Sequence, residues 1–261
     1  MKYLNEVSYK DCVGKVFKST PSGDFKIVKY NDSKNVEIQF LNTGFKTTVH
    51  LGSIKSGYVK DPYSPSVFGV GISGTKYQIT INGALTKEYA LWKNMLQRCC
   101  SDTYKNKRPT YEGCEVSDNF KSYEYFYEWC HKQIGFGNDG NGNPFHLDKD
   151  LLIKGNKIYS ANTCVFIPAE INTLLVNSEA SRGKYLIGVY WSNTSKTFIA
   201  RANKSKGKRE HLGLFKTEIE AFNAYKKAKE SFIKEQAEKW KDKIDERAYS
   251  ALMNYEVDID D

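Results

Sequence analysis

Apolar and polar residues alternate with a period of two over 25–30 and again over 36–40, which predicts two half-buried strands. Asn31-Asp32-Ser33 lies between them as a hairpin turn, and Asn42-Thr43-Gly44 supplies another. Residues 14–59 therefore read as a small β-barrel or curled sheet, a frame on which a protein partner can dock. Asp61-Pro62 and Ser64-Pro65, followed by Gly69, Gly71 and Gly74, punctuate the chain as a linker. The period then changes. Tyr89, Trp92, Met95 and Leu96 recur at helical spacing, predicting a helix over 87–100 with Thr86 as its N-cap. Phe120, Tyr123, Phe126, Tyr127 and Cys130 repeat that spacing behind a cap at Ser117 or Asp118, and their aromatic rings are expected in the core.

A loop rich in Gly and Asn (135–143) precedes two predicted strands, 145–153 and 156–165, joined by a turn at Lys154-Gly155. Pro168 opens a short helix with Ile171, Leu174 and Leu175 on its apolar side. Three more strands are predicted at 187–191, 197–201 and 209–213, with turns at Ser192-Asn193 and at 204–207. Thr217 and Glu220 then form a capping box for a helix carrying Ala221, Ala224, Tyr225 and Ala228, whose small residues let it lie close to a sheet.

The chain has 261 residues, 40% of them hydrophobic and 14% aromatic, enough for packed cores in several small domains. No apolar run reaches the ~18 residues of a membrane span and the N-terminus lacks a signal-peptide pattern, so an intracellular protein is expected. The six cysteines form no C-x-x-C pair; buried free thiols are expected and no zinc site. The net charge of +8 is unevenly spread. Lys and Arg stand against Asp and Glu as ten to six over 1–75 and thirteen to twelve over 76–182. The ratio is fifteen to eight over 183–245 and one to five over 246–261. The basic excess in 183–245 suits a polyanion, and the acidic end reads as a solvated tail.

The strand, turn, strand, helix pattern over 145–175 can bring Asp148, Asn162 and Asn172 around one ion. Hard oxygen donors of this kind suit Mg²⁺ or Mn²⁺ and phosphate chemistry. The residues that lead into this pattern, Tyr89-x-x-Trp92-x-x-Met95-x-x-Arg98-Cys99 and Gly113-Cys114-x-Val116, carry a resemblance, as do Phe120 and Phe126. So do Leu147-Asp148-Lys149-Asp150, Gly155-Asn156, Tyr159-Ser160-x-Asn162-x-Cys164 and Asn172. Over 89–175 the chain resembles the HNH, or ββα-metal, nucleases of phages and bacteria. That resemblance implies Asp148 and Asn172 as metal ligands and Asn162 as the residue that orients the active side chain. The family's general-base histidine is replaced here by Lys149, which can hold a phosphate but does not readily accept a proton. His146, two residues before Asp148 and on the same strand face, is the alternative base.

In 183–245, Lys196, Arg201, Lys204, Lys206, Lys208, Arg209 and Lys216 accompany a single acid, Glu210, between 196 and 216. Gly188-Val189-Tyr190-Trp191, Phe198-x-Ala200, His211-Leu212-Gly213-x-Phe215 and Glu220-Ala221-x-x-Ala224-Tyr225 together resemble the APETALA, or ethylene-response-factor, DNA-binding domain. The resemblance implies a sheet lying in the major groove of double-stranded DNA. Arg201 and Arg209 are the expected base readers, the lysines phosphate contacts, and Tyr190 and Trp191 either stack on the backbone or pack inside.

The fold class expected is a multidomain α+β chain. It comprises a β-rich domain and linker (1–75), a helical and ββα-metal domain (76–182), a sheet-and-helix DNA-binding domain (183–245) and an acidic tail (246–261). Two functions follow: a Mg²⁺-dependent site-specific endonuclease of homing type, cytoplasmic in a bacterial host, or a non-cutting DNA binder that keeps the nuclease frame.

Overall fold

A computed structural model describes the backbone of residues 9–137, 142–176, 183–205 and 208–261. The chain forms two compact units, Met1–Trp129 and Cys130–Asp261, in which helices are mixed with several small sheets. The boundary between them falls inside the segment 76–182.

The first unit opens with β1 (Val16–Ser19), β2 (Gly23–Asp32), β3 (Asn35–Phe40) and β4 (Lys46–Val49), an antiparallel meander in which spatial order equals chain order. Period-two alternation buries Phe25, Ile27, Val36, Ile38 and Phe40 against Leu51 and Ile54 of α1 (Leu51–Ser56) and against Val59. Because β1 and β4 remain as edges, the sheet is open and the barrel alternative falls away. The segment expected as a linker is packed instead. Asp61 is 2% exposed, accepts hydrogen bonds from the Thr43 hydroxyl (2.5 Å) and the Tyr63 N–H (2.8 Å), and donates its own N–H to Ser22 (2.9 Å). The Glu124 carboxylate takes the N–H groups of Thr75 and Lys76, both at 2.8 Å. Pro and Gly here mark tight backbone turns rather than a free tether.

A hairpin of β5 (Thr80–Ile81) and β6 (Ala84–Leu85) leads into α2 (Lys87–Cys100), where the Thr86 hydroxyl accepts the Tyr89 N–H at 3.3 Å. Tyr89, Trp92, Met95 and Leu96 are all buried, and α3 (Asp102–Lys107) and β7 (Glu115–Val116) follow. The second predicted helix is two, α4 (Asp118–Lys121) and α5 (Tyr123–His131). It breaks at Ser122, whose backbone is extended (ψ 121°) and whose hydroxyl accepts the Tyr125 N–H at 3.3 Å, a local alternative to the helical ladder. The Trp92 indole N–H donates to the Phe120 carbonyl at 2.8 Å.

In the second unit β8 (His146–Asp148) pairs antiparallel with β10 (Val165–Ile167), placing Val165 opposite Asp148 and Ile167 opposite His146. Between them lies β9 (Ile158–Tyr159), and α6 (Ala169–Leu175) follows. The paired strands are much shorter than the predicted 145–153 and 156–165. Next come β11 (Val189–Ser192), β12 (Thr197–Ser205) and β13 (Lys208–Phe215), antiparallel in that order. The long helix α7 (Glu218–Trp240) starts at the expected capping box: Thr217 Oγ1 accepts the Glu220 N–H at 3.2 Å and Glu220 accepts the Thr217 N–H at 3.1 Å.

Val189, Ala200 and Ala202 of the sheet pack on Ala221, Phe222, Tyr225 and Phe232 of α7. Gly188 makes the closest approach: its φ is 76°, and a Cβ there would collide with the Tyr225 ring.

The acidic end is not a solvated tail. It forms α8 (Glu246–Met253), buries Ala248, Leu252 and Val257, and ties Val257 to α7. The Glu230 carboxylate accepts the Val257 N–H at 2.9 Å and the Lys226 ammonium donates to the Val257 carbonyl at 2.6 Å. All six cysteines are free, and burial pushes the Cys99 and Cys164 thiols up to about 12, so neither is a ready nucleophile. Among the described residues no helix is long and apolar enough to cross a membrane.

Candidate functional site

The β8–β10–α6 frame brings His146 and Asn172 together: Nδ1 of the ring and Nδ2 of the amide are 3.0 Å apart. With the amide donating, the imidazole carries its proton on Nε2. His146 is exposed, and the two-residue repeat of β8 puts Asp148 on its face while Leu147 turns into the core. Asp148 Oδ1 accepts the N–H groups of Asp150 (3.0 Å) and Leu151 (2.7 Å), closing the turn after β8. Asp148 Oδ2 and the Asn172 carbonyl oxygen make no hydrogen bond among the described residues.

Lys149 does not stand at this face. It is 7% exposed; its ammonium donates to the Asn156 carbonyl at 3.0 Å and to Asp150 at 3.1 Å, and lies 5.8 Å from the centre of the Tyr159 ring. Its expected phosphate contact is therefore replaced by an inward structural role. Asn156 closes the same turn, donating its amide to the carbonyls of Lys149 (2.7 Å) and Ile158 (2.8 Å). This role of Asn156 was not expected, and the Gly-Asn pair at a turn is its only signal in the sequence. Lys149→Ala is expected to cost about 1–3 kcal/mol, measured by denaturant unfolding, by orphaning the Asn156 carbonyl and removing the buried stem. Asn162 sits in the 161–163 turn with its side chain exposed and free of hydrogen bonds among the described residues. Its carbonyl, not its amide, is engaged, by Arg247 at 3.4 Å, so it does not orient His146.

Burial, and then the neighbouring charge of Asp150, push the Asp148 carboxyl above the usual carboxylate range. A raised folded value means the stability lent by protonation is full below the unfolded pKa and is lost as the pH rises through the folded one. Asp148→Asn, which keeps an oxygen for the two N–H groups, is expected to raise the thermal midpoint at pH 7 and leave it unchanged at pH 3. A desolvated carboxylate with a free oxygen fits a divalent cation, with Asn172 as second donor. Among the described residues no group of three or more His, Cys, Asp or Glu could hold a metal, so such an ion would keep most of its waters.

On the sheet the register sorts the cations. The face opposite α7 carries Tyr190, Ile199, Arg201, Asn203, Arg209, His211 and Leu214. Arg201 stacks over the Tyr190 ring at 4.8 Å and is exposed, as are Arg209 and Lys196, the last in the β11–β12 turn with φ 54°. Trp191 lies on the helix side, edge-on to Phe198 at 4.9 Å, which leaves packing as its role. Lys204, expected as a phosphate contact, faces the helix instead. It is the extra residue of a bulge between Asn203 and Ser205, and its ammonium sits 5.1 Å from the Phe232 ring and 3.6 Å from Glu235 of α7. Lys208 is exposed but falls on the helix-side parity; Lys206 lies outside the described residues. Asn203, His211 and the apolar outward residues were missed as face members, although counting in twos from Arg201 reaches Ile199 and Asn203.

The hairpin and the sheet-and-helix module are joined within the second unit. Glu170 of α6 accepts from Lys239 (2.6 Å) and from the Trp240 indole of α7, and Phe145 meets Trp240 edge-on at 5.6 Å. Lys154 pairs with Asp258 and, at 2.8 Å, with Asp261. No family model, no curated protein and no solved structure matches this chain.

Proposed function

We propose that the chain binds double-stranded DNA through the outward face of β11, β12 and β13. The observation that carries this reading is the sorting of side chains by register. The helix side is filled by Val189, Ala200 and Ala202, while Arg201, Arg209 and His211 stand together on a face that has no outward carboxylate among the described strand residues. Arg201 held against Tyr190 presents its guanidinium edge with little left to order on binding, the form that reads a guanine edge bidentately. Lysines at the sheet margin, Lys196 among them, add phosphate contacts that make affinity salt-dependent. With a duplex selected from a random pool, Arg201→Ala is expected to weaken binding about 10- to 100-fold and relax the preference at one position. Wild-type protein with no salt-sensitive affinity for any duplex would sink the reading.

A second reading is cleavage of the bound strand at the β8–β10–α6 frame, favoured by the His146–Asn172 contact beside the free oxygen of Asp148. A Mg²⁺ or Mn²⁺ held by Asp148 and Asn172 would stabilise charge on the phosphate and the leaving oxygen. His146 would take the proton from water at Nε2 once the Asn172 amide turns its oxygen to the ring, because only then does Nδ1 carry the ring proton and leave Nε2 free. Incubation of wild type and Asp148→Ala with plasmid and either ion separates cutting from binding alone. Intact plasmid with wild type leaves a DNA binder on a nuclease frame, the outcome that the inward Lys149 favours.

A further inference from the structure

The outward face is not uniformly basic. Tyr190 pairs with Ile199, and Ile199 with Leu214, so one row across all three strands is apolar. The next row holds Arg201 opposite His211, and the one after it Asn203 opposite Arg209. Leu214 is 54% exposed, while its neighbour Phe215 turns to the helix side, so the core makes no use of Leu214. Two aliphatic side chains in register on an otherwise polar sheet face form an apolar strip whose surroundings, Arg201, Arg209 and Lys196, favour a polyanion. In the major groove the only apolar group any base offers is the 5-methyl of thymine.

We infer that Leu214, backed by Ile199, reads a thymine methyl. Because residues of one face are about 6.8 Å apart along a strand, and base pairs about 3.4 Å apart along the duplex, the thymine lies about two base pairs from the base engaged by Arg201. This inference rests on the DNA-binding reading and adds a base preference to it. Arginine supplies the directional hydrogen bonds, and the aliphatic row adds a contact that distinguishes thymine from cytosine at a place where no side chain hydrogen-bonds.

The test uses the full chain and duplexes selected from a random pool, with affinity followed by fluorescence anisotropy. A thymine is expected within three base pairs of the guanine whose preference is lost in Arg201→Ala. Replacing that thymine by deoxyuridine, which removes only the methyl, is expected to weaken wild type about three- to fivefold. Leu214→Ala, a change at an exposed position that leaves the thermal midpoint in place, is expected to weaken binding to the thymine duplex by the same factor and to be indifferent to deoxyuridine. Tight, salt-sensitive binding with no thymine selected there, or with deoxyuridine bound as well as thymine, overturns the inference and leaves the DNA-binding reading standing. Loss of salt-sensitive binding altogether overturns both, and a protein bound on this face would give that outcome.

Discussion

Gly188→Val is expected to unfold the C-terminal sheet from its helix, at a cost of about 3–5 kcal/mol in denaturant titrations, and to abolish the proposed DNA binding with it. Two causes act together. The backbone holds φ at 76°, where a β-branched residue is strained, and the new side chain would have to occupy the space of the Tyr225 ring. That ring is 5% exposed and lies among Val189, Ala221 and Phe222, so it has nowhere to move without opening the core. Gly155 separates the causes. It has the same φ of 76° but open space where its Cβ would be, so Gly155→Ala carries only the backbone cost, about 1 kcal/mol.

Removing residues 255–261 is expected to destabilise the second unit by about 3 kcal/mol or more, read as a fall in its thermal midpoint. Val257 is 3% exposed and both its backbone groups are tied to α7, by Glu230 and Lys226. Truncation uncovers the apolar seat and leaves those two side chains without these backbone partners. Burial pushes the Lys229 ammonium below its usual range and the charge of Asp261 opposes that shift, so the loss of Asp261 makes the buried lysine still costlier to charge. Lys154 of the hairpin loses Asp258 and Asp261 at the same time. The substitution Val257→Asp, which keeps the chain length, is expected to reproduce most of the effect.

The elements written most plainly in the sequence are those whose ends and faces are both coded locally. Thr86 before Tyr89, Trp92, Met95 and Leu96 specified α2 to the residue, and Thr217 with Glu220 specified the start of α7. The hairpin was less legible, because side chains compete there with the strand ladder. Asp148 takes two backbone N–H groups of the turn, Asn156 takes two carbonyl partners, and Lys149 folds inward, so pairing stops at Asp148 instead of continuing to Ile153. That inward turn could not be read from a lysine's position in a charged string. The acidic end misled for the opposite reason: the charges of Glu246, Glu256 and Asp258 hid the spacing of Ala248, Leu252 and Val257, which are the residues that pack. On the sheet the expected contacts followed charge, whereas counting in twos from Arg201 reaches Ile199 and Asn203, neither of which was expected on the face. The same alternation puts Lys204 on the helix side with Ala200 and Ala202, a placement that its position in a run of basic residues concealed.

The central claim is that the face opposite α7, rather than basicity in general, binds DNA. It is tested most directly by titrating a selected duplex at fixed salt with wild type, Arg201→Ala/Arg209→Ala and Lys204→Ala. The outward pair is expected to lose about 100-fold or more in affinity. Lys204→Ala, which removes one positive charge from the helix side, is expected to stay within about twofold of wild type. Equal losses in the two variants, or full affinity in the outward pair, would contradict it.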